Sequence, residues 1–243
     1  NPDLYLERLE RSIIESVPAP VAVIVSFPSN PTAQVVSIEF YEEVVKIALK
    51  YNVYILSDLA YAEIYYDNSP PPSILQIPKA KEVAVEFTSM SKTYAMAGWR
   101  IGFAVGNIRL INALTRIKSY LDYGAFTPVQ VAATAALNGP QDCVQEIRST
   151  YQKRRDVLIN SMARAGWNIP SPKASMFAWA PLPDKYKDKG SLEFAKELML
   201  KADVAVSPGV AFGEFGEGFV RVGLVENEQR IRQAAKNVKK LLS

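Results

Sequence analysis

The sequence contains no histidine and only one cysteine, Cys143, among its 243 residues. Without histidine, Ser-His-Asp and Cys-His catalysis are excluded, as is any metal site that needs imidazole. Proton transfer is left to Lys, Asp, Glu, Tyr or the single Cys. One cysteine cannot close an internal disulfide, which suits a reducing compartment such as the cytoplasm. No apolar run approaches the roughly 20 residues of a membrane span, and no signal-peptide pattern is seen. A P-loop, a dinucleotide glycine motif and a metal-ligand cluster are all missing. An excess of one charge is lacking too: 28 Lys and Arg against 25 Asp and Glu leave +3. These charges are dispersed, so neither nucleic acid nor an acidic partner is implied. The chain opens Asn1-Pro2-Asp3 without an initiator methionine, and its natural start is expected upstream.

What is present is a globular composition, 49% hydrophobic and 22% charged, enough for a sizeable core in one or two domains. Leu4, Leu6, Leu9, Ile13 and Ile14 have helical spacing over 3–16. An apolar strand is predicted over 21–26, then a turn at Phe27-Pro28-Ser29-Asn30-Pro31-Thr32. Ser37 can cap a helix over 38–50, with Phe40, Val44, Ile47 and Ala48 on one face. A strand over 53–57 closes a βαβ unit, which should cross over right-handedly.

The stretch that organises the chain is Val83 to Gly106. It opens with a buried strand over 83–87 and continues into a loop, Thr88-Ser89-Met90-Ser91-Lys92. A second strand is expected over 99–105. Strands therefore end near Asn30, Asp58 and Lys92, at the edge where open α/β sheets keep their ligands. An acid at a strand end is as often a turn former as a ligand, and a lysine after a core strand can be a plain surface residue. Three such ends on one edge favour a site. Desolvation and a nearby cation turn a lysine into a carbonyl nucleophile. A hydroxyl at Ser89 and a guanidinium at Arg100 suit an aldehyde that carries a phosphate.

Ser89-Met90-Ser91-Lys92 followed by Gly98-Trp99-Arg100-Ile101-Gly102 resembles the pyridoxal phosphate-lysine signature of the class I/II aminotransferases, fold type I. Leu56-Ser57-Asp58-Leu59-Ala60-Tyr61 strengthens the likeness to the alanine and LL-diaminopimelate type. The resemblance implies that Lys92 forms a Schiff base with the cofactor and that Asp58 pairs with its pyridinium nitrogen. Asn30 and Tyr61 would share its phenolic oxygen, and Ser89 and Arg100 complete the cofactor-binding set. Lys92, Asp58 and Tyr61 would be catalytic, while Asn30 and Arg221 would meet the substrate. By alternation alone, Arg221 in the strand 219–224 reads as an outward-facing charge; the resemblance makes it the α-carboxylate ligand. The family turn commonly reads Asn-Pro-Thr-Gly, whereas Ala33 stands in place of the glycine here.

The second half changes pattern. A helix is predicted over 107–120, and an alanine-rich helix over 129–137 should pack closely. A long helix over about 140–165 ends at Gly166. Its face of Gln145, Arg148, Gln152 and Arg155 reads as solvated, and the helix can bridge two domains. Strands over 176–180, 204–207 and 219–224 alternate with helices over 191–201 and from 226.

The implied architecture is α/β: a three-layer αβα large domain over 1–145, with its N-terminal part missing, and a smaller α+β domain over 146–243. In the family that N-terminal part supplies a phosphate-holding turn, a ring-stacking aromatic and a tyrosine reaching the neighbouring subunit. This chain alone is therefore expected to be weakly active or inactive. The implied function is transfer of an amino group between an L-amino acid, alanine or glutamate, and a 2-oxo acid. A cytoplasmic homodimer is implied, with no metal, nucleic acid or membrane. Two other readings stay open: a carbon–sulfur lyase or decarboxylase on the same scaffold, and an aminotransferase-like effector domain of a transcription regulator.

Overall fold

The computed structural model describes residues 2–242. The backbone divides into two compact units. The first takes the residues up to Pro28, then Val35–Glu63 and Pro70–Val144; the second takes Ser29–Gln34, Ile64–Ser69 and everything from Gln145.

In the first unit the order is α1 (Pro2–Glu15), β1 (Ala22–Ser26), α2 (Ile38–Tyr51), β2 (Tyr54–Asp58), α3 (Ala80–Val83), β3 (Ala84–Ser89), α4 (Met90–Thr93), β4 (Gly102–Gly106), α5 (Ile108–Leu121) and α6 (Thr127–Asn138). The sheet order is β1-β2-β3-β4, with the first three strands parallel and β4 antiparallel to β3. Ser37 caps α2 by accepting from the Phe40 N–H at 3.4 Å, and Asn52 ends it in the left-handed conformation. The buried face of α2, including Phe40, Val44 and Ala48, packs with Ile55 and Ala84 in one core. The predicted apolar spacing of this helix is therefore the spacing that packs.

Other elements depart from the sequence reading. Ser89 still belongs to β3, and Lys92 sits on the single helical turn α4, not in a loop. Trp99 and Arg100 precede β4; Arg100 has φ 51°, left-handed backbone that a strand cannot contain. The alanine-rich helix α6 buries only Ala133, so its small side chains do not pack closely within the described residues. No side chain of α5 is buried. The edge strands β1 and β4 expose Ile24, Phe103 and Val105.

A buried carboxylate ties this sheet to the proline-rich stretch Pro70-Pro71-Pro72-Ser73. Glu86, on β3 opposite Ser57, is 4% exposed. It accepts from Ser73 Oγ at 2.7 Å, the Ile74 N–H at 3.1 Å and Ser57 Oγ at 3.4 Å. Burial pushes its carboxyl pKa up, against the pull of those donors. A raised folded-state value means that this group's contribution is full below the unfolded carboxylate range, about pH 4.3, and is lost as pH rises through the folded value. Glu86→Ala strands several donors, and the expected loss is about 1–3 kcal/mol in urea denaturation. Glu86→Gln should flatten the decline of stability above that range; a profile parallel to the parent's would remove Glu86 as its source.

The second unit contains α7 (Asp142–Arg164, from Gln145 onward), β5 (Phe177–Pro181), α8 (Gly190–Ala202), β6 (Ser207–Pro208), β7 (Phe219–Gly223) and α9 (Glu228–Leu242). Its antiparallel sheet runs β5-β7-β6, and β6 is shorter than the apolar run suggests. The core gathers Trp167, Phe194, Leu198, Val220, Leu224 and Ile231 with Ile64 and Tyr66 from the inserted segment. That insertion overturns the solvated reading of one face of α7. Arg155 is 5% exposed and bonds to Asp67, and Gln152 Oε1 accepts from the Asp67 N–H at 3.4 Å.

Candidate functional site

In the first unit three parallel strands end side by side, with Ser26 opposite Asp58 and Asp58 opposite Phe87. The Asp58 carboxylate accepts from the Ala60 N–H at 3.1 Å and from Ser26 Oγ at 3.3 Å. Both donors are neutral, and no cation pairs with Asp58 among the described residues. One strand over, β3 ends at Ser89, whose hydroxyl accepts from the Ser91 N–H at 3.2 Å and so caps α4. Ser91 and Thr93 are buried and face inward on this turn, leaving Lys92 half-buried. The Lys92 ammonium lies 6.0 Å from the centre of the buried Tyr61 ring. Arg100 is exposed and donates to the carbonyl of Ala97 at 2.9 Å.

Asn30 and Arg221 lie in the second unit and meet there. Arg221 Nη1 donates to Asn30 Oδ1 at 2.7 Å, and Nη2 donates to Ser207 Oγ at 3.2 Å. The guanidinium carbon lies 4.3 Å from the centre of the Phe177 ring and 4.8 Å from that of Phe212. Two hydrogen bonds and two ring faces fix the fork, and the guanidinium has further N–H donors to offer a ligand. Arg221 is thus a held cation, not an outward-facing charge. Close backbone packing shapes the loop after β6: a Cβ on Gly209 would meet the Gly216 oxygen at 1.9 Å. Ala33 adopts φ 56°, the left-handed backbone that the usual glycine of this turn would reach without strain.

The structure therefore places five predicted residues, Asp58, Tyr61, Ser89, Lys92 and Arg100, in the first unit and joins the other two, Asn30 and Arg221, in the second. Two of the partners lie in short stretches that also match the family, Ser207 in Ser207-Pro208-Gly209 and Phe177 in Lys173-Ala174-Ser175-Met176-Phe177. Ser26 is reached only through strand register, and Phe212 only through the loop after β6.

The donors of the first unit suit pyridoxal phosphate: a half-buried primary amine, a carboxylate that no cation pairs among the described residues, a phenol, a hydroxyl and a guanidinium. Among the described residues no group of acids, histidines and cysteines could hold a metal ion. No described helix is long and apolar enough to cross a membrane.

Comparison with known proteins agrees with this chemistry. The chain is 56% identical over 235 residues to the glutamate-pyruvate aminotransferase AlaC of Escherichia coli, covering 97% of this chain and 57% of that protein. It is 42% identical over 232 residues to the LL-diaminopimelate aminotransferase of Moorella thermoacetica, covering 93% and 59%. Among solved structures, an aromatic aminotransferase from Pyrococcus horikoshii superposes with a TM-score of 0.89 at 26% identity, over 98% of this chain and 63% of that one. The chain thus spans about three-fifths of the length of the curated relatives it matches. The large-domain and small-domain elements of the fold type I aminotransferases account for both units, and pyridoxal phosphate is the cofactor of that group. The model of aminotransferase class I and II matches residues 3–238, and the chain belongs to that family.

Proposed function

We propose that the protein carrying this chain is a pyridoxal phosphate-dependent aminotransferase that exchanges an amino group between L-glutamate or L-alanine and the matching 2-oxo acid. The observation that carries this reading is a carboxylate and a half-buried amine in one unit, Asp58 and Lys92, that do not pair with each other. The 56% identity to a glutamate-pyruvate aminotransferase supports the choice of substrates. Bound cofactor supplies an aldehyde for primary amines and an electron sink for the substrate's α-carbon.

Lys92 Nζ would be the amine that carries the cofactor and, when free, the base that moves the proton at the α-carbon. Asp58 would keep a proton on the ring nitrogen, its charge being paired with no cation among the described residues. Tyr61 and Asn30 would orient the ring through its oxygen, and Ser89 and Arg100 would bind the phosphate. Arg221 grips the α-carboxylate. The single, exposed Cys143 supports a cytoplasmic setting, and the family resemblance supports a homodimer. Exposed apolar side chains on α5, β1 and β4 support weak activity of this chain alone.

The full-length protein with pyridoxal phosphate, L-glutamate and pyruvate is expected to yield L-alanine and 2-oxoglutarate. Release of ammonia or carbon dioxide in their place would overturn the reading in favour of a lyase or decarboxylase. In the same assay Arg221→Gln should lower kcat/KM on the order of 100-fold, chiefly through KM, because two charge-assisted bonds are lost. Arg221→Lys keeps the charge without the fork and should fall between. An unchanged KM in Arg221→Gln would remove Arg221 from carboxylate binding.

A further inference from the structure

Two adjoining cavities, about 450 Å³ and 720 Å³, run along the seam between α7 and α9 in the second unit. Both helices turn apolar faces inward: Leu158 and Met162 from α7, and Ile231 and Val238 from α9, are buried in one core. Their polar faces form the walls. Ala165 and Ala235 line the smaller cavity, and such short side chains leave room for the long ones beside them.

Those long side chains are basic. Lys153 and Arg164 stand on the α7 wall, and Arg232, Lys236 and Lys239 on the α9 wall. Arg232 and Lys236 are four positions apart, where like charges on a helix repel. Elsewhere in this unit several exposed lysines are paired, as Lys189 and Lys201 are with Glu197 and Lys196 is with Glu193. In the groove Lys153, Arg164, Arg232 and Lys236 have no hydrogen-bond or ion-pair partner among the described residues. Of the two acids there, Asp156 is already engaged by Arg155 Nε at 2.8 Å, which leaves Glu228 alone against the row. The folded protein thus holds Lys153, Arg164, Arg232 and Lys236 along one groove with Glu228 as the one unengaged acid among the described residues that line it.

We propose that this groove binds a small polyphosphate anion, at a site separate from the aminotransferase residues. Lys153 to Arg164 spans eleven positions of α7, or roughly 16 Å of groove, which suits a chain of charges and not a single carboxylate. Arginine forks and lysine ammonium groups are the usual partners of phosphate oxygens, and Asn160 and Ser161 add neutral donors. No aromatic side chain lines either cavity, so the groove lacks the stacking surface that single-stranded nucleic acid uses.

The test is calorimetric titration of the full-length protein at low ionic strength with inorganic triphosphate, adenosine triphosphate and a single-stranded oligonucleotide. Saturable triphosphate binding is expected, weakening as salt is added. Losing two charge-assisted contacts in Arg232→Glu/Lys236→Glu should weaken it by about 100-fold. Arg164→Glu, on the opposite wall, should weaken it by about tenfold. A charge-matched control, Arg8→Glu/Lys185→Glu, should bind as the parent does; circular dichroism checks that each variant is folded. Equal binding of the two phosphates would identify the phosphate chain as what is read, and tighter nucleotide binding would add a base contact; both support the proposal. It is overturned by absent triphosphate binding, by equal loss in the control, by no loss in either wall variant, or by tighter binding of the oligonucleotide.

Discussion

Replacing Lys92 with alanine is expected to abolish covalent capture of pyridoxal phosphate. When the parent protein is incubated with the cofactor and reduced with borohydride, a pyridoxyl group should be fixed to one peptide, the one containing Lys92. Several features single this amine out from the chain's other lysines. Burial of Ser91 and Thr93 holds α4 against the body of the unit, and the Ser89 hydroxyl caps the turn, so the amine projects from a fixed base. The nearby ring of Tyr61 is buried and cannot swing away freely. Other lysines, such as Lys46 and Lys118, are surface groups bound to carboxylates, which hold the ammonium protonated. In the full-length protein, loss of the amine also removes the group that moves the proton, and that alone lowers turnover by roughly 10²–10⁴-fold. Lys92→Arg should be as inactive, since a guanidinium stays protonated. Mass spectrometry of the reduced protein decides the matter independently of turnover. Fixation of the same amount of pyridoxyl in Lys92→Ala would show that another lysine carries the cofactor and would remove the base of the proposed mechanism.

The residues that were legible in the sequence are those whose signal is local. Helix α2 announces itself through Ser37 and its apolar spacing, and the parallel strands through short β-branched runs before Asp58 and Lys92. Arg100 misled because an apolar run continues past it, while its left-handed backbone and the close approach of Gly102 to the Thr88 oxygen delay β4. Alanine content on α6 predicts tight packing only if another element lies over it, and within the described residues only Ala133 is covered. The largest blind spot is the pair of short segments, 29–34 and 64–69, that join the second unit. Their partners are remote in sequence: Asn30 meets Arg221, and Asp67 meets Arg155. A polar row on a long helix looks solvated until such a segment is laid on it. The same nonlocality hid the place of Phe177 and Phe212 against Arg221.

That buried row gives the largest expected effect on stability. Arg155→Ala should destabilise the second unit by roughly 2–3 kcal/mol, the cost of losing a buried side-chain stem together with its charge-assisted hydrogen bonds. The Arg155 side chain is 6% exposed and reaches Asp67 through both terminal nitrogens, at 2.6 and 2.8 Å. Its Nε donates to Asp156 at 2.8 Å and its Nη1 to the Pro172 carbonyl at 3.4 Å, while the guanidinium lies 4.7 Å from the Tyr66 ring centre. Truncation therefore empties a buried volume, strands the Pro172 carbonyl and frees the segment that carries Tyr66 and Asp67. That segment is otherwise held by the Tyr66 N–H on the Lys173 carbonyl at 2.9 Å and by Tyr66 Oη on the Ser175 carbonyl at 2.5 Å. Arg155→Lys keeps a charge but loses the fork and the stacking, so about half the loss is expected. Asp67→Asn should cost about 1 kcal/mol or less, because that carboxylate is largely exposed and its attraction is screened. The hydrogen bonds from Arg155 hold the Asp67 carboxyl below the usual range. A depressed value means that its contribution is present above the unfolded pKa, about 3.9, and disappears as pH falls through the folded one. Urea denaturation followed by tryptophan fluorescence, which Trp167 in the same core reports, measures all three variants. A loss for Arg155→Ala no larger than that for Asp67→Asn would mean that the guanidinium is a surface group after all and that the inserted segment is held by its backbone bonds alone.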